Sequence, residues 1–418
     1  MFPASSVSPV QPRSLVQRAL QRAQQVTRTT DDSEVPAAAL PIGDIRAQLG
    51  RTLRRVHRVA VLASRYLHGD EATGPLLGAL PALDAWALDG NRGRVVRLPP
   101  VASLYVPGPN GTRTEVAFPA PYAVAMPGAR LLGPEGHVIV DRHVALDVSP
   151  ASGRGAGDHP ALLRFRRSRP DLLDACALVM TGLTAVNHYH WLFDILPRYA
   201  VARDAGMKWD RVVTYAKTAV HRECLARLGI APDSVVAPPW HGQLDIAEAI
   251  VPSIPSTLDS PSPYAVAFLR QMFAPEMGSA AGFQRKIYVL RARSAQRRIR
   301  NDAQVRRCLE DRGFVTIALE DLSLADQVRL FANADAIVAP HGAGLANLAF
   351  CRPETRVIEL FASRYTPRYY EYLATMLGLD YAALVEGGCA HGQRSGHFAA
   401  EDMNVDIAAL DCVLPAAS

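Results

Sequence analysis

The sequence lacks the patterns that mark several common classes of protein. No apolar stretch approaches the roughly 20 residues that a helix needs to cross a bilayer. The formal net charge is only +5, and basic runs interleaved with aromatic residues are missing, which argues against nucleic-acid binding. No strand-like run is followed by Gly-x-Gly-x-x-Gly, so a dehydrogenase with a dinucleotide cofactor is disfavoured.

Cysteine is scarce and scattered as well. The six cysteines include no Cys-x-x-Cys pair, and residues 1–6 lack the basic start and apolar run of a secretory leader. We therefore expect reduced, structural thiols in a cytoplasmic protein that contacts the inner face of the membrane at most peripherally. A zinc hydrolase is also disfavoured, because His188 and His190 alternate without a third ligand at the required spacing. The cysteines are Cys176, Cys224, Cys308, Cys351, Cys389 and Cys412.

Length and composition favour two domains. With 418 residues and 49% hydrophobic content, the chain is long for one core and apolar enough to bury two. Residues 59–255 are predicted as an N-terminal domain, in which short β-type runs over residues 95–148 precede an α/β alternation. Residues 264–390 are predicted as the C-terminal domain. The proline- and serine-rich residues 252–263 are the predicted linker between them.

The two ends of the chain carry separate predictions. Residues 1–58 are polar, and apolar positions between residues 15 and 26 predict an amphipathic helix surrounded by arginines. That helix is either solvated and loosely attached, or it lies on a membrane surface or a partner. Residues 391–418 are predicted as a tail that packs back on the N-terminal domain.

Strands and helices alternate throughout the predicted C-terminal domain. This alternation implies right-handed βαβ crossovers and a parallel sheet, in which ligands sit beyond the carboxyl ends of the strands. Ser323 and Asp326 fit a capping box at the start of one helix. The predicted strands cover residues 286–291, 314–318, 336–339 and 356–361, and the predicted helices cover residues 302–312, 324–333 and 368–377, with a further helix beginning near Leu345.

A glycine-rich loop after the strand at residues 336–339 is the first candidate site. His341 stands between Pro340 and the glycines Gly342 and Gly344, directly before a predicted helix. Backbone N–H groups and the positive end of that helix then point at one spot, which suits the phosphates of a nucleotide. An ordinary tight turn with a polar histidine is the alternative.

Arginines that follow an earlier strand extend this candidate site. Arg291, Arg293, Arg297 and Arg298 come from the loop after the strand that begins at residue 286, and guanidinium groups contact phosphate in a bidentate manner. Both loops follow strands of the predicted parallel sheet, so they should lie on the edge formed by the carboxyl ends of the strands, which we call the rim. The alternative for one or two of these arginines is a solvated loop. Glu359, at the end of its strand, should either accept ribose hydroxyls or pair with an arginine.

A predicted helix, capped by Asn187 and ended by Pro197, carries the second candidate site. His190 and Asp194 stand four residues apart, so a carboxylate lies beside an imidazole. Either residue is then the general base towards an acceptor hydroxyl, with the other as its hydrogen-bonded support. The alternative is structural: a helix N-terminus with a histidine packed beside Trp191.

Four motifs occur in order along the chain, and together they resemble glycosyltransferase family 61. They are Asn187-His-Tyr-His-Trp-Leu-Phe-Asp-Ile-Leu-Pro-Arg198, the arginines from Arg291 to Arg298 with Asn301, Glu320-Asp-Leu-Ser-Leu-x-x-Gln327, and His341-Gly-Ala-Gly-Leu-Ala-Asn347 with Val357-Ile-Glu359. The resemblance, to a bacterial-type member, covers about residues 181–384, with a weak stretch over residues 209–283. It implies the α/β GT-B fold: two Rossmann-like domains facing a cleft, here with an additional β-rich segment in the N-terminal domain.

The resemblance also implies roles for individual positions. His190 and Asp194 are the implied catalytic pair, and Asn187, His188 and Trp191 lie on the acceptor side. The C-terminal domain is expected to hold a nucleotide-sugar, with a UDP-sugar as the expected donor. The implied donor-binding positions are Arg291, Arg293, Arg297, Arg298, Asn301, Glu320, His341, Gly342, Ala343, Gly344, Leu345, Asn347 and Glu359.

The chain contains no Asp-x-Asp, the carboxylate pair with which many glycosyltransferases hold a metal. We therefore expect a metal-independent enzyme without a cofactor, in which arginines and a helix end stabilise the leaving diphosphate. The resemblance implies transfer with inversion at the anomeric carbon. Its expected acceptor is a hydroxyl of a glycan or glycolipid in surface polysaccharide assembly. The alternative is a non-catalytic nucleotide-sugar or phosphosugar binding protein, which would keep the His341 loop and lose the base.

Overall fold

The computed structural model describes most of the chain from residue 78 onward. All of the described residues belong to one compact unit, Ser64–Ser418. The predicted extension over residues 1–58, together with Arg293 and Cys389, lies outside the described residues. The described ranges are 78–80, 82–88, 92–107, 112–133, 135–141, 143–149, 170–182, 185–239, 242–257, 260–278, 284–291, 296–388 and 399–415.

A mixed sheet occupies the first half of the described chain. Its strands are β1 (Gly78–Leu80), β2 (Arg94–Arg97), β5 (Tyr122–Leu132), β6 (His137–Val140), β7 (His143–Ala145), β8 (Asp171–Met180), β9 (Arg211–Thr214), β10 (Val235–Val236) and β11 (Gln243–Pro252), while β3 (Leu104–Pro107) and β4 (Arg113–Val116) form a separate hairpin. Among the described residues the strand order is β1-β7-β6-β5-β11-β8-β9-β10, with β2 beside β5. The β11-β8-β9-β10 part is parallel, and β5 pairs antiparallel with β11. The predicted β-rich segment is thus confirmed as the antiparallel side of this sheet.

The helix after β8 departs from its prediction. After α1 (Leu83–Leu88), the chain forms α2 (His188–His190), a π-helical turn (Trp191–Ile195) and α3 (Leu196–Asp204) without a break. The prediction that Pro197 ends the helix is therefore wrong. Proline has no N–H to donate, and the π turn places it in the first turn of α3, where that donor is not needed. The predicted cap is confirmed, since the Asn187 side chain accepts from the Tyr189 N–H at 2.9 Å.

The second sheet is parallel and doubly wound. Its strands are β12 (Lys286–Leu290), β13 (Val315–Ala318), β14 (Ala336–Pro340), β15 (Arg356–Phe361) and β16 (Asp380–Val385), in the order β13-β12-β14-β15-β16. All four strand pairs are parallel, as predicted. The buried strands are rich in Val, Ile and Ala, the composition expected where both faces are covered.

Helices connect and cover the strands of both halves. The Ser323 hydroxyl accepts from the Asp326 N–H at 3.1 Å, which confirms the predicted cap. The helix expected near Leu345 is a 3₁₀ helix that begins earlier, at Ala343–Phe350. The α-helices are α4 (Ala219–Arg227), α5 (Pro263–Met272), α6 (Asp302–Glu310), α7 (Leu324–Asn333), α8 (Tyr369–Leu377) and α9 (Ile407–Val413).

One apolar core passes from the first sheet to the second. It contains Phe193 from the π turn, Leu269 from α5 and Phe350 from the 3₁₀ helix, all fully buried. The segment over residues 252–263 is predicted as a linker, and its described residues, 252–257 and 260–263, are packed into this junction. Its serines are buried, and the Ser256 hydroxyl donates to the Phe193 carbonyl at 3.0 Å. Hydrogen bonding to backbone therefore lets a polar, proline-rich segment lie inside the protein. The predicted domain boundaries stay a prediction.

The C-terminal tail packs on the second sheet in its described part. Arg312 pairs with Asp411 of α9, and Arg356, at the start of β15, donates to the Val413 carbonyl at 2.8 Å. The prediction that the tail returns to the N-terminal domain is wrong for these residues. Its apolar side chains instead complete the core beneath α6.

Across the described part of the chain, every helix falls short of the length and apolar character that a bilayer span requires.

Candidate active site

The order of the second sheet places a ligand crevice between two particular strands. Numbered along the chain, its strands run 2-1-3-4-5, so the direction of winding reverses between β12 and β14. In such sheets the carboxyl ends of the strands on either side of the reversal border the binding crevice. Arg291 follows β12 and His341 follows β14, and the Arg291 Nη1 donates to the His341 carbonyl at 3.3 Å. The structure therefore brings the two predicted rim loops together.

His341 is held by a buried carboxylate. Its Nδ1 lies 2.6 Å from Glu359 Oε1, and the Tyr381 hydroxyl donates to the other carboxylate oxygen at 2.6 Å. Glu359 is fully buried, and its predicted role at ribose hydroxyls or in an arginine pair stays a prediction. A carboxylate at Nδ1 fixes the imidazole orientation, and Nε2 becomes a second donor once the ring is protonated.

Gly342 makes room for Arg291. A Cβ atom added to Gly342 would lie 1.7 Å from the Arg291 Nη1, and no other neighbour would be as close. The glycine backbone is extended, so the missing side chain is needed for space and not for conformation. Gly344 serves the packing behind the loop, because its added Cβ would lie 2.8 Å from a methyl group of Leu319.

Arg291 and Arg297 form a positively charged pair beside this loop. Burial, followed by repulsion from Arg297, lowers the pKa of Arg291 to about 10. Arg297 has a positive φ of 54°, which is uncommon for a residue with a side chain, and its buried Nε has no hydrogen-bond partner among the described residues. Two guanidinium groups that repel each other, one of them on a residue in a strained backbone conformation, are typical of an anion site.

Aromatic rings line the same crevice, and sequence reasoning missed them. His341 stacks on Phe361 at 5.2 Å between centroids, and Tyr365 and Tyr370 pack against it at 5.6 Å. The Tyr370 hydroxyl donates to the Gly342 carbonyl at 2.7 Å, which fixes the turn. The tyrosine-rich stretch from Tyr365 into the first turn of α8 is a sequence signal, and its position after β15 would have placed it on the rim.

The His190–Asp194 contact predicted in the N-terminal half is formed. His190 Nδ1 lies 2.6 Å from Asp194 Oδ2, and both side chains are about one-fifth exposed. The pair thus combines an oriented imidazole with access from solvent. Arg198, one turn further on, is fully buried and donates to the carbonyls of Thr181 and Pro252, at the ends of β8 and β11. It fastens the helix to the sheet, a function that sequence analysis did not assign.

The helix that carries His190 and Asp194 directly contacts the 3₁₀ helix that follows His341. His188 Nε2 lies 3.4 Å from the Asn347 Oδ1, and Asn347 also donates to the Gln327 Oε1 at 2.8 Å. Asn347 is fully buried and joins the two halves, and its predicted donor-binding role stays a prediction.

A second bridge between the halves is aromatic. Tyr189 packs against His190 at 5.2 Å and against Tyr370 at 5.9 Å between ring centroids. Tyr370 packs against His341 at 5.6 Å, so the two histidine rings are at most about 17 Å apart. The two candidate sites therefore lie on neighbouring elements, with packed aromatic rings between them.

Several other predicted site residues are not gathered into this crevice. Trp191, predicted on the acceptor side, is a core residue whose ring lies 4.2 Å from that of His221. Arg298 is mostly exposed and pairs with Asp402 at 3.1 Å, while the Asn301 Nδ2 donates to the Val405 carbonyl at 2.8 Å. Leu345 is buried in the core. The remaining predicted positions are Ala343, which packs partly buried against the core, Glu320, which is exposed but close enough to influence Arg291, and the exposed cap Asn187.

Within the described residues no three His, Cys, Asp or Glu side chains converge as metal ligands would. The expected independence from metal stays a prediction.

Comparison with known proteins covers the same part of the chain. Residues 188–358, which include both His190 and His341, match the family model Glycosyltransferase 61. The chain is 44% identical over 71 residues to the dog (Canis lupus familiaris) protein O-linked-mannose beta-1,4-N-acetylglucosaminyltransferase 2, which covers 16% of this chain and 12% of the relative. The Xenopus tropicalis protein of the same name is 37% identical over 98 residues, or 22% of this chain and 17% of the relative.

A plant relative matches a similar share. The beta-1,2-xylosyltransferase of Arabidopsis thaliana is 33% identical over 66 residues, or 16% of this chain and 12% of the relative. The chain thus matches less than one-fifth of the length of each of these relatives. They are animal and plant proteins, so the bacterial type stays a prediction. The family match and the named relatives support a glycosyltransferase enzyme.

Proposed function

We propose that the protein is an inverting, metal-independent glycosyltransferase. It moves a sugar from a nucleoside diphosphate donor, with UDP as the expected nucleotide, to a hydroxyl of a glycan or glycolipid. The observation that carries the proposal is the contact between His188 and Asn347, because it sets the helix of the His190–Asp194 pair against the 3₁₀ helix that follows His341. Base and donor loop then border one crevice, as a direct transfer requires.

The donor diphosphate binds at the rim between β12 and β14. Arg291, Arg297 and the Nε2 of His341 supply charge-assisted donors for its oxygen atoms. As the bond to the sugar breaks, negative charge grows on the diphosphate, and these fixed cations stabilise it more than they stabilise the intact donor. Glu359 and Tyr381 hold the imidazole in place for this purpose.

The acceptor hydroxyl approaches from the side of α2. Asp194 accepts from the Nδ1–H of His190, which leaves Nε2 free of its proton to take one from the attacking hydroxyl. The imidazolium that forms is stabilised by the same carboxylate. Attack opposite to the departing diphosphate inverts the anomeric carbon in one displacement.

The proposal extends to the fold type and the cellular setting of the protein. The two sheets are consistent with two Rossmann-like halves of the GT-B type, with the donor on the second. We infer a cytoplasmic role in surface polysaccharide assembly, with peripheral contact to the membrane. These parts depend on the family resemblance.

Measurements of UDP binding test the proposed donor site. We expect UDP to bind in calorimetric titration, and His341→Ala and Arg297→Gln each to weaken its affinity by roughly 10-fold or more, the scale of a lost charge-assisted hydrogen bond. Arg285→Gln is the matched control. Arg285 directly precedes β12 and pairs with Asp335, which directly precedes β14, so the pair lies at the end of the sheet opposite to the rim. Turnover should persist in excess chelator.

Three outcomes would contradict the proposal in different ways. Unchanged UDP affinity in both variants would show that the donor binds elsewhere. UDP binding without any sugar transfer to glycan acceptors would favour the non-catalytic binding protein. Activity that chelator removes and manganese restores would overturn the metal-independent step alone.

A further inference from the structure

A short C-terminal segment, residues 400–405, runs beside residues 297–301, which belong to the connection between β12 and α6. We call it the strap. Met403 forms a parallel bridge with Ile299, and Arg300 N–H donates to the Met403 carbonyl at 2.8 Å. Val405 N–H donates to the Asn301 side chain at 3.0 Å, and Asn301 returns a bond to the Val405 carbonyl at 2.8 Å. The strap thus adds a strand-like partner to a loop that no neighbouring strand pairs with in the described residues.

Asp402 of the strap holds the residue next to Arg297. Its Oδ1 accepts from the Arg298 backbone N–H at 2.8 Å, and its Oδ2 accepts from the Arg298 guanidinium at 3.1 Å. The Arg298 side chain is 63% exposed, so the ion pair contributes little and the backbone bond matters more. The backbone bond fixes the peptide that follows Arg297, whose φ of 54° an L-residue adopts only when its surroundings impose it.

The strap also fastens two other loops of the same rim. Glu401 accepts from Arg364, in the loop after β15, at 2.5 Å. Glu386, which follows β16, accepts from the Asn404 backbone N–H at 3.0 Å. The loops after β12, β15 and β16 are therefore bound to one another through residues far away in sequence.

We propose that Asp402 is a positioning residue for the donor site: it holds Arg297 in its left-handed conformation, with the guanidinium beside Arg291 where the diphosphate binds. The inference rests on the proposed function. Because two like charges repel, the loop would otherwise move Arg297 away from Arg291, and the donor would have to supply the ordering free energy on binding. The strap fixes the conformation of the loop before the donor binds.

Two substitutions at Asp402 separate positioning from charge. Asp402→Asn keeps an oxygen for the Arg298 N–H, whereas Asp402→Ala removes it. We expect UDP affinity to fall about 10-fold in Asp402→Ala and less than about 3-fold in Asp402→Asn, since the backbone bond carries the effect. The KM for the donor should rise in the same ratio, with kcat at saturating donor nearly unchanged. Asp411→Asn is the control, because it breaks an arginine pair of the same tail away from the rim.

Wild-type protein provides a second test that needs no variant. Amides of Arg298 and Arg300 should already be protected from hydrogen exchange without nucleotide, and UDP should add little protection. Free exchange that becomes slow only with UDP would overturn the inference. Equal UDP affinity in wild type and Asp402→Ala would overturn it too, while leaving the proposed function intact. A wild-type protein that binds no UDP at all would instead defeat the proposed function.

Discussion

At the scale of single residues, the candidate site depends on groups whose partners come from distant strands. The four-residue spacing of His190 and Asp194 was enough to predict their contact, because both lie on one helical segment. The partner of Glu359 was not predictable in this way. It depends on the parallel register that sets Glu359 beside Ala339, two residues before His341. Local spacing reveals pairs within an element, and pairs between elements need the register.

Gly342 gives a residue-scale prediction. In Gly342→Ala the new methyl group would occupy the position of the Arg291 Nη1, so the guanidinium must leave. Because a long side chain can move at little cost, we expect thermal stability to stay near wild type while UDP affinity falls roughly 10-fold. Gly278→Ala is the matched control, since its added Cβ would meet no atom closer than 3.9 Å.

Calorimetric titration and thermal unfolding of both glycine variants measure the two quantities separately. A large loss of stability with unchanged UDP affinity would show that Gly342 serves the packing of the loop, and would remove Arg291 from the donor site.

At the scale of elements, the π-helical turn shows where pattern reading failed. A proline after a helical pattern usually marks its end, yet here the wider turn absorbs Pro197 and the helix continues. The turn also changes which face each side chain takes, so that Trp191 packs inside against His221 of α4. Strands and caps were predicted well because composition and capping residues act locally. No residue type within the π turn marks it in the same local way.

His221 leads to a prediction about acid stability. Burial, with smaller contributions from His188, Arg222 and Lys217, lowers the pKa of His221 from 6.5 to about 4. Between these values the unfolded chain binds the proton and the folded protein does not, so stability falls as the pH drops from about 6.5 to about 4. The shift corresponds to about 3 kcal/mol at the acid end of this window.

The variant His221→Phe keeps an aromatic ring against Trp191 and cannot titrate. We expect its unfolding free energy to depend less steeply on pH than that of wild type between about pH 4 and 6.5. A shallower slope should remain, because burial lowers the pKa of His188 as well. Denaturant unfolding across this range measures both slopes, and identical slopes would mean that His221 is not the group that responds.

At the scale of the whole molecule, the two halves are joined by polar and aromatic contacts as well as by a shared core. Glu223 of α4 accepts from the backbone N–H groups of Leu324 and Ala325, at the positive end of α7. Neither this contact nor the course of the tail followed from the sequence, since both link segments about 100 residues apart. What the motifs did predict was the rim itself, because loops after parallel strands share one edge of the sheet.

The His190–Asp194 pair provides the prediction that involves both halves. If the two residues act as one unit towards the acceptor, His190→Ala and Asp194→Asn should each lower kcat by roughly 10²-fold, the scale of general-base catalysis. The double variant should be little slower than the slower single variant, because groups that act together are not additive.

UDP affinity should stay near wild type in all three variants, since the nucleotide binds on the second sheet. His143→Ala is the control, a histidine on β7 bonded only locally, to the Asp141 carbonyl at 2.8 Å. A structural role would give another pattern, in which the variants lose thermal stability while turnover per folded molecule stays normal. That result would remove the pair from the reaction and leave the donor site without its base.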